Sequence, residues 1–275
     1  MRTLLSILTL VVALAYAAPL AWVALASMKT EQDALSPGLP TPGDALDAAR
    51  KNYAGVLSDP HADLVGATRN SLIVAGLTVP AGVLSSAAAA YALSRLRWRG
   101  RETIFLIVLA TMMIPFTVVM APQYLLFKHL GWIGTFRPLW VPSLGGSAFT
   151  IFLLRQFFLG IPRELDEAAR LDGCSDWGIF TRVILPLASP ALVVAALLLL
   201  IACWNDYAAP LVFLNHSEDY TLSLALQMYQ TRHGGTPWNL VTAASVLAVA
   251  PVVVLFVLTQ RSILRGIATQ GLREG

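Results

Sequence analysis

The chain has 275 residues, of which 56% are hydrophobic and only 13% are charged, and its formal net charge is +3. Soluble domains carry roughly 25% charged residues, so this composition excludes an ordinary water-soluble globule and indicates a membrane protein. The two cysteines, Cys174 and Cys203, lie in a polar loop and in an apolar run, so we expect no disulfide framework.

Six apolar stretches predict membrane-spanning helices, since each approaches the ~20 residues that a span requires. They cover residues 4–27, 71–93, 103–122, 138–158, 187–213 and 240–260. The first stretch could also be a secretory signal peptide, because Ala24-Leu25-Ala26 resembles a cleavage site. Its apolar run exceeds the roughly 7–15 residues of signal peptides, so we expect an uncleaved span. The prediction is one all-α transmembrane domain over residues 1–275.

The positions of lysine and arginine predict the orientation of the chain, because cytoplasmic loops carry more of these residues. If the N-terminus is cytoplasmic, that side holds twelve of them: Arg2, Arg95, Arg97, Arg99, Arg101, Arg155, Arg163, Arg170, Arg182, Arg261, Arg265 and Arg273. The other side holds seven: Lys29, Arg50, Lys51, Arg69, Lys128, Arg137 and Arg232. We therefore expect both termini in the cytoplasm.

Two outer loops and three prolines complete the predicted organisation. Residues 29–68 are rich in Pro, Gly and Asp and predict a solvated loop with some short helix. Residues 215–238 form an outer loop that is long enough to contact a partner, and whether it enters that partner is open. Pro80, Pro115 and Pro251 are expected to interrupt the second, third and sixth spans, as hinges or as static kinks.

The most polar cytoplasmic segment, residues 162–186, lies between the fourth and fifth spans. Its first part predicts a short helix in which Asp166 and Arg170 form an i, i+4 pair and Gly173 provides the C-terminal cap. A second short helix is expected to follow and to end at Pro186. An amphipathic helix in this position could simply lie on the lipid surface.

The amino-acid sequence of this segment resembles the cytoplasmic coupling motif, or EAA motif, of ABC importer permeases. The resemblance is carried by Glu167-Ala168-Ala169, Asp172-Gly173, Val183 and Leu185-Pro186. Further similarity to the sugar-importer branch, spread along nearly the whole chain, involves Asn52-Tyr53, Asn70-Ser71, Trp204-Asn205-Asp206-Tyr207, Pro210-Leu211 and the tail from Trp238 through Gly266 and Gly271. The last four residues, Leu272-Arg273-Glu274-Gly275, depart from the usual ending of that branch.

This resemblance implies a permease subunit of an ATP-driven, binding-protein-dependent importer for a sugar or sugar-like solute. The implied partners are membrane lipid, a second homologous permease, two ATPase subunits and an extracytoplasmic solute-binding protein, in a bacterial or archaeal cytoplasmic membrane. The implied coupling residues are Glu167, Ala168, Ala169, Asp172, Gly173, Leu185 and Pro186. The sequence has no Gly-x-x-x-x-Gly-Lys-[Ser/Thr] loop, so we expect ATP and Mg to be bound by the ATPase subunits. The chain itself is expected to be no enzyme.

Other positions permit two interpretations each. Trp204, Asn205, Asp206 and Tyr207 could line the translocation pathway or an outer gate, or they could anchor the span at the membrane boundary. Gly266 and Gly271 could contact the ATPases, as in relatives of the maltose type, or belong to a disordered end. Arg155 is expected to extend its charged group to the membrane interface.

Rival functions find less support in the sequence. An importer permease for a non-sugar solute, such as a peptide or a glycerol phosphate, is the nearest alternative. A secondary transporter would need ionisable groups at mid-membrane, which the predicted spans almost lack. An intramembrane protease would need a histidine in a span, but all four histidines fall in outer loops. Their spacing predicts no metal site, and we expect no nucleic-acid partner.

Overall fold

The fold is entirely helical within the residues that the computed structural model describes, namely 2–60, 62–232 and 236–271. The α-helices of these ranges are numbered here in chain order. They are α1 Arg2–Ala26, α2 Ala45–Ser58, α3 Leu64–Ser94, α4 Arg101–Thr111, α5 Phe116–His129, α6 Arg137–Trp140, α7 Ala148–Leu159, α8 Glu164–Leu171, α9 Asp176–Ile179, α10 Leu185–Leu187, α11 Ser189–Trp204, α12 Ala208–Phe213, α13 Leu222–Arg232 and α14 Trp238–Gly271. Short 3-10 helices cover Val141–Gly145 and Ser217–Asp219, and a π-helical turn covers Phe180–Ile184.

Several of these helices can cross a membrane, judged by length and composition. Single helices that qualify are Leu5–Ala26, Leu64–Ser94 and Trp238–Gln260. Three helix pairs qualify only together, because each pair is bent at a short break. The described residues therefore provide three candidate spans, or up to six if each bent pair forms one span. This confirms the prediction of an all-helical protein with several apolar spans, and the number six stays a prediction.

Proline breaks one predicted span and leaves two others continuous. The stretch 103–122 is not one straight helix, because α4 and α5 meet at an angle of 97°. Pro115 directly precedes α5 with ψ 145°, and a residue before proline is disfavoured in helical conformation, so α4 cannot continue through it. Neither Pro80 nor Pro251 ends a helix, since both lie inside the continuous helices α3 and α14, and a hinge or kink at these positions stays a prediction.

The predicted spans 138–158 and 187–213 are also divided. In the first, Gly146 has φ 79° and separates the 3-10 helix from α7. A Cβ at Gly146 would lie 3.2 Å from Ser86 Oγ, so this close approach of two chain segments favours glycine. In the second, α11 ends at Trp204 and α12 begins at Ala208, so the predicted single helix becomes two.

One compact unit comprises the chain up to Arg69 together with Tyr220–Val253, and it includes the predicted outer loop. That loop contains the short helix α2, as expected, but part of it is buried rather than solvated. Asn52 of α2 is 4% exposed and donates hydrogen bonds to the carbonyl oxygens of Ser27 at 2.8 Å and Lys29 at 2.9 Å. Asn239 of α14 donates to Asn52 Oδ1 at 2.8 Å. We call these four residues the amide cluster.

The other compact unit comprises Asn70–Asp219 and the chain from Val254 onward. Its hydrophobic core contains Ala87 of α3, Leu154 and Phe158 of α7, and Ile179 and Ile184 from the end of the 162–186 segment, all of them fully buried. The core therefore fixes the second half of the polar segment directly to the apolar helices. The first half, α8, is held by an ion pair between charged residues.

Candidate functional site

Helix α8 presents one face to the protein and the other to its surroundings. Asp166 and Ala169 are buried, as expected for residues three apart, which share a helix face. Glu167 and Ala168 are exposed between them, and Leu171 is 90% exposed. The predicted short helix is therefore present, and the Glu-Ala-Ala sequence projects its first two residues outward and its third inward.

Gly173 ends α8 in a left-handed conformation, with φ 80°. The Cys174 N–H donates to the Ala169 carbonyl at 2.9 Å, and the Gly173 N–H donates to the Arg170 carbonyl at 3.0 Å. These two bonds define a Schellman motif, which satisfies carbonyl groups at a helix end. The predicted glycine cap is confirmed, and it turns the chain sharply between the two parts of the segment.

The second part of the segment is helical from Asp176 to Leu187, as predicted, but it contains a π-helical turn. Ser175 caps its start, because the Ser175 Oγ accepts a hydrogen bond from the Gly178 N–H at 3.2 Å. The Leu185 N–H donates to the Phe180 carbonyl, five residues back. Pro186 has no N–H and disfavours a regular helix behind it, so the wider turn accommodates the Leu185-Pro186 pair of the motif.

The Asp166 carboxylate pairs with an arginine from another helix end, and the predicted pair with Arg170 is wrong. Arg95 directly follows α3 and donates from Nη1 to Asp166 Oδ2 at 3.1 Å. The two side chains are 2% and 9% exposed. Arg170 lies one turn further along α8, but its side chain is exposed and pairs with Asp176 instead. Burial lowers the pKa of the Arg95 guanidinium, and the attraction of Asp166 opposes this shift.

Arg155 of α7 is also buried, which corrects the prediction that it extends to the membrane interface. Its residue is 8% exposed, and its Nη2 donates to both carboxylate oxygens of Glu102, at 2.9 and 3.1 Å. Its Nε donates to the Leu93 carbonyl at 3.3 Å, and its guanidinium lies 4.0 Å from the centre of the Phe105 ring. Together, Arg95, Asp166, Arg155 and Glu102 form what we call the arginine cluster.

Arg170 has a different partner, the carboxylate of Asp176 at the start of α9. The Arg170 Nη2 to Asp176 Oδ1 distance is 2.9 Å, and both side chains are about half exposed. This hydrogen bond raises the pKa of Arg170. The Tyr91 hydroxyl of α3 donates to the Asp176 carbonyl at 3.0 Å. The start of α9 is thus hydrogen-bonded to α3 as well.

A cleft of about 450 Å³ lies beside these contacts. Arg95 and Asp166 contribute to its wall together with Arg97, Arg163 and Glu167. Among the described residues, Arg95 Nε and Asp166 Oδ1 are buried without a hydrogen-bond partner. Because the wall carries both charge signs, the cleft favours neither a simple anion nor a simple cation.

The residues Trp204, Asn205, Asp206 and Tyr207 lie at the break between α11 and α12. Trp204 is 6% exposed, whereas Asn205 and Tyr207 are exposed. The Asp206 Oδ1 accepts a hydrogen bond from the Ala209 N–H at 3.2 Å, so this carboxylate caps the short helix α12. This contact supports the anchoring interpretation and leaves the pathway interpretation a prediction.

The remaining predicted positions have simpler outcomes. Helix α14 continues past the predicted span end and includes Gly266 and Gly271, whereas residues 272–275 lie outside the described part of the chain. His61 and His233 also lie outside it. Among the described residues, no group of His, Cys, Asp or Glu could hold a metal ion.

The arginine pairings were missed by sequence reasoning, although a signal for one of them existed. Arg95 stands directly at the end of an apolar stretch, where a buried partner can be expected only if a polar helix packs nearby. The sequence contained both parts but not their pairing. Ser175 could have been found, because serine before an acidic residue is typical of a helix start.

The apolar helices of the fold are those of a membrane protein, and comparison with known families identifies its class. Residues 79–269 match the family described as binding-protein-dependent transport system inner membrane component. This match covers more than half of the chain, and the chain belongs to this family.

Individual relatives support this assignment. The trehalose/maltose transport system permease protein MalG of Thermococcus litoralis is 33% identical over 273 residues, which cover 99% of this chain and 97% of that protein. The arabinooligosaccharides transport system permease protein AraQ of Halalkalibacterium halodurans is 34% identical over 204 residues, 74% of this chain and 72% of that one.

A solved structure agrees with the sequence relatives. It is a chain of a bacterial ABC transporter involved in the import of the acidic polysaccharide alginate. The two chains share 26% sequence identity with a TM-score of 0.76, and the match covers 94% of this chain and 95% of that one. The predicted resemblance to ABC importer permeases is confirmed, and the chain is a multi-pass membrane transport component rather than an enzyme.

Proposed function

We propose that this chain is a transmembrane permease subunit of an ATP-driven, binding-protein-dependent importer for a sugar or sugar-like solute. The observation that carries the proposal is the family match combined with relatives named for trehalose/maltose and arabinooligosaccharide transport. In this proposal the chain forms half of a translocation pathway, and a second homologous permease forms the other half. The expected location is the cytoplasmic membrane of a bacterium or archaeon.

The proposed arrangement has six spans with both termini in the cytoplasm, and the chain acts as a single transmembrane domain. The three long helices and three bent pairs are consistent with it. The excess of arginine on the side that carries residues 95–101 and 162–186 also supports it. Residues 215–238 would then face the extracytoplasmic binding protein.

The 162–186 segment is proposed to be the element that couples this chain to an ATPase subunit. Its exposed face carries Glu167, Ala168 and Gly173, while Asp166 and Ala169 hold the same helix from inside. A small apolar residue beside an exposed carboxylate permits close approach of a partner that offers a basic group. Leu185 and Pro186 extend the segment toward α11, so displacement of the segment is transmitted into an apolar helix.

The proposed cycle follows from the coupled states of such a complex. Two ATPase subunits bind ATP and Mg, draw together, and move the coupling segments of the two permeases. The spans then change from inward-open to outward-open, and the binding protein delivers solute. A ligand shifts this equilibrium only by its differential affinity for the two states, so ATP and the loaded binding protein must each favour the outward-open form.

Two finer roles belong to the same proposal. Trp204, Asn205, Asp206 and Tyr207 lie at a helix break and are proposed to border the pathway or its outer gate, although the cap made by Asp206 serves anchoring equally well. The end of α14, with Gly266 and Gly271, is proposed to contact the ATPase subunits. Hydrolysis of ATP itself takes place in those separate subunits.

The test is co-purification of the tagged chain with the products of neighbouring genes, followed by measurement of ATP hydrolysis. Glu167→Lys reverses an exposed charge, and we expect loss of the ATPase or of its stimulation by solute-loaded binding protein. Glu31→Lys is the matched control, because Glu31 is equally exposed but lies in the predicted outer loop. Candidate sugars and non-sugar solutes are screened as ligands of the binding protein in the same assay.

A second pair of variants tests the turn rather than the charge. Gly173→Ala and Gly131→Ala both place a side chain at positive φ, 80° and 66°, with no atom within 4 Å of the new Cβ. Each change costs about 1–2 kcal/mol of backbone strain, so their stabilities should fall alike. Only Gly173→Ala should weaken ATPase binding or stimulation. If the wild-type chain recovers no ATPase under conditions that preserve membrane complexes, the coupling role of 162–186 is wrong.

A further inference from the structure

Arg95 connects three chain segments through one buried guanidinium. It directly follows α3, and it donates to the Asp166 carboxylate of α8 at 3.1 Å. Its Nη2 also donates to the carbonyl oxygens of Phe158, in α7, and of Ile161, just after α7, the latter at 2.7 Å. A guanidinium holds such a geometry better than a lysine, because its donors form a rigid planar fork.

Helix α8 has little apolar anchorage of its own. Asp166 and Ala169 are its buried residues, and an alanine contributes little hydrophobic surface. Its leucines, Leu165 and Leu171, are 40% and 90% exposed. The ion pair with Arg95 therefore adds a buried, specific contact between this helix and the end of α3.

The ion pair also determines which face of α8 is presented. Successive residues of an α-helix are rotated by about 100° about its axis. With Asp166 held inward, Glu167 and Ala168 must point outward, as they do. A helix of this length without that contact could rotate and present a different face.

Stability alone is a poor explanation for burying these two charges. Removing an ion pair from water costs about as much as the pair returns, and an apolar pair of similar size is often equally stabilising. A charged, hydrogen-bonded pair instead fixes the direction and distance between its two groups. This is the property that transmission of movement between two helices requires.

We propose that Arg95 and Asp166 are positioning residues for coupling, which lock α8 to the end of α3 so that the two move as one body. The proposal rests on the proposed function of the 162–186 segment, and it extends that function by naming the second predicted span as the element that receives the movement. Tyr91 adds a parallel contact, since its hydroxyl connects α3 to the Asp176 carbonyl of α9.

The neighbouring pair Arg155–Glu102 provides a control in the same unit. Its arginine is buried and its N–O distance is 2.9 Å, although Glu102 is 58% exposed. It connects α7 with α4 and, through Leu93, with α3, but it does not contact α8. Loss of this pair perturbs the same region without releasing the coupling helix.

The first experiment compares Arg95→Lys, Asp166→Asn and the control Glu102→Gln in the complex with its ATPase. Stimulation of ATP hydrolysis by solute-loaded binding protein is measured per assembled complex, beside basal hydrolysis. We expect the stimulation of ATP hydrolysis to fall about tenfold in the first two variants, which is the scale of a typical coupling between sites. Glu102→Gln should retain it. A merely structural role would reduce the yield of all three and leave stimulation per complex unchanged.

The second experiment measures the distance between α3 and α8 in a chain that keeps Arg95 and Asp166. Spin labels at Arg97 and Glu164, both exposed, report the distance between the segment directly after α3 and helix α8 once Cys174 and Cys203 are replaced by serine. We expect the same distance distribution in the nucleotide-free and ATP-bound complexes. A distance that changes between the two states overturns the proposal, even where Arg95 or Asp166 variants fail to fold.

The two failures can be told apart. If wild-type chain binds and stimulates the ATPase while Arg95→Lys and Asp166→Asn match it, the positioning role is wrong and the coupling role of the segment stands. If no ATPase is recovered with wild type, the proposed function fails, and labels in the chain alone still report whether α8 and α3 stay together.

Discussion

Two largely buried polar clusters stabilise the two compact units, and they do so with different chemistry. The amide cluster uses the neutral side chains of Asn52 and Asn239, which hydrogen-bond to each other and to the carbonyls of Ser27 and Lys29. The arginine cluster uses two guanidinium groups that bind both carboxylates and backbone carbonyls. Each cluster holds segments that are far apart in sequence.

The difference indicates what each cluster contributes. A neutral amide loses little hydration free energy when it is buried, and a few hydrogen bonds within the protein offset that loss. The amide cluster therefore serves to fix a loop. A buried charge loses far more hydration free energy, and its interactions offset this loss only if every partner stays in place. The Arg95–Asp166 pair of this cluster is therefore sensitive to small displacements, which suits an element proposed to transmit movement.

The largest expected effect is that of Arg95→Ala. This change leaves the Asp166 carboxylate buried without its partner and removes the Arg95 hydrogen bonds to two backbone carbonyls, so we expect the free energy of unfolding to fall by about 3–5 kcal/mol. Thermal unfolding of the purified chain in detergent measures it. Arg97→Ala is the control, because Arg97 is exposed, and its effect should stay within about 0.5 kcal/mol. Equal losses for the two variants would show that the burial of Arg95 is incorrect.

Asn52→Ala should have an intermediate effect. It removes three hydrogen bonds from the amide cluster, two to backbone carbonyls and one from Asn239, and leaves these groups buried without partners. We expect a loss of about 1–3 kcal/mol in the same assay. The exposed Asn215 supplies the matched control Asn215→Ala, which should change little. A loss larger than that of Arg95→Ala would reverse the comparison between the clusters.

The sequence predicted local features well because local chemistry determines them. Gly173 was recognised as a cap from its position after an amphipathic stretch, and the structure gives it the positive φ that glycine tolerates. Three of the apolar stretches likewise coincide with single helices long enough to span a membrane, whereas the other three correspond to bent or divided helices. Local rules also located Pro115 as a break, but Pro80 and Pro251 obey the same rules and their helices continue, because packing in the rest of the unit can override them.

Side-chain pairings over long sequence distances could not be predicted in this way. The nearest opposite charge to Asp166 along the helix was Arg170, which made an i, i+4 pair the natural expectation. The observed partner, Arg95, is 71 residues away. The Asp166 carboxylate is buried beside Arg95, whereas Arg170 is exposed and pairs with Asp176. The approach of the end of α3 to α8 decides between the two partners, and the periodicity of the sequence does not specify it.

The smallest expected effect is that of Arg170→Ala, and it separates exposed from buried ion pairs. The Arg170–Asp176 pair has the same kind of geometry as Arg95–Asp166, but its side chains are 51% and 56% exposed. Solvent screens such a pair, so we expect a loss below about 1 kcal/mol. In about 1 M salt the screening length falls to roughly 3 Å, so this loss should vanish, whereas that of Arg95→Ala should persist. Unfolding of both variants at low and high salt tests this contrast. If salt abolishes both effects, the Arg95–Asp166 pair is accessible to water, and it cannot hold α8 rigidly against α3.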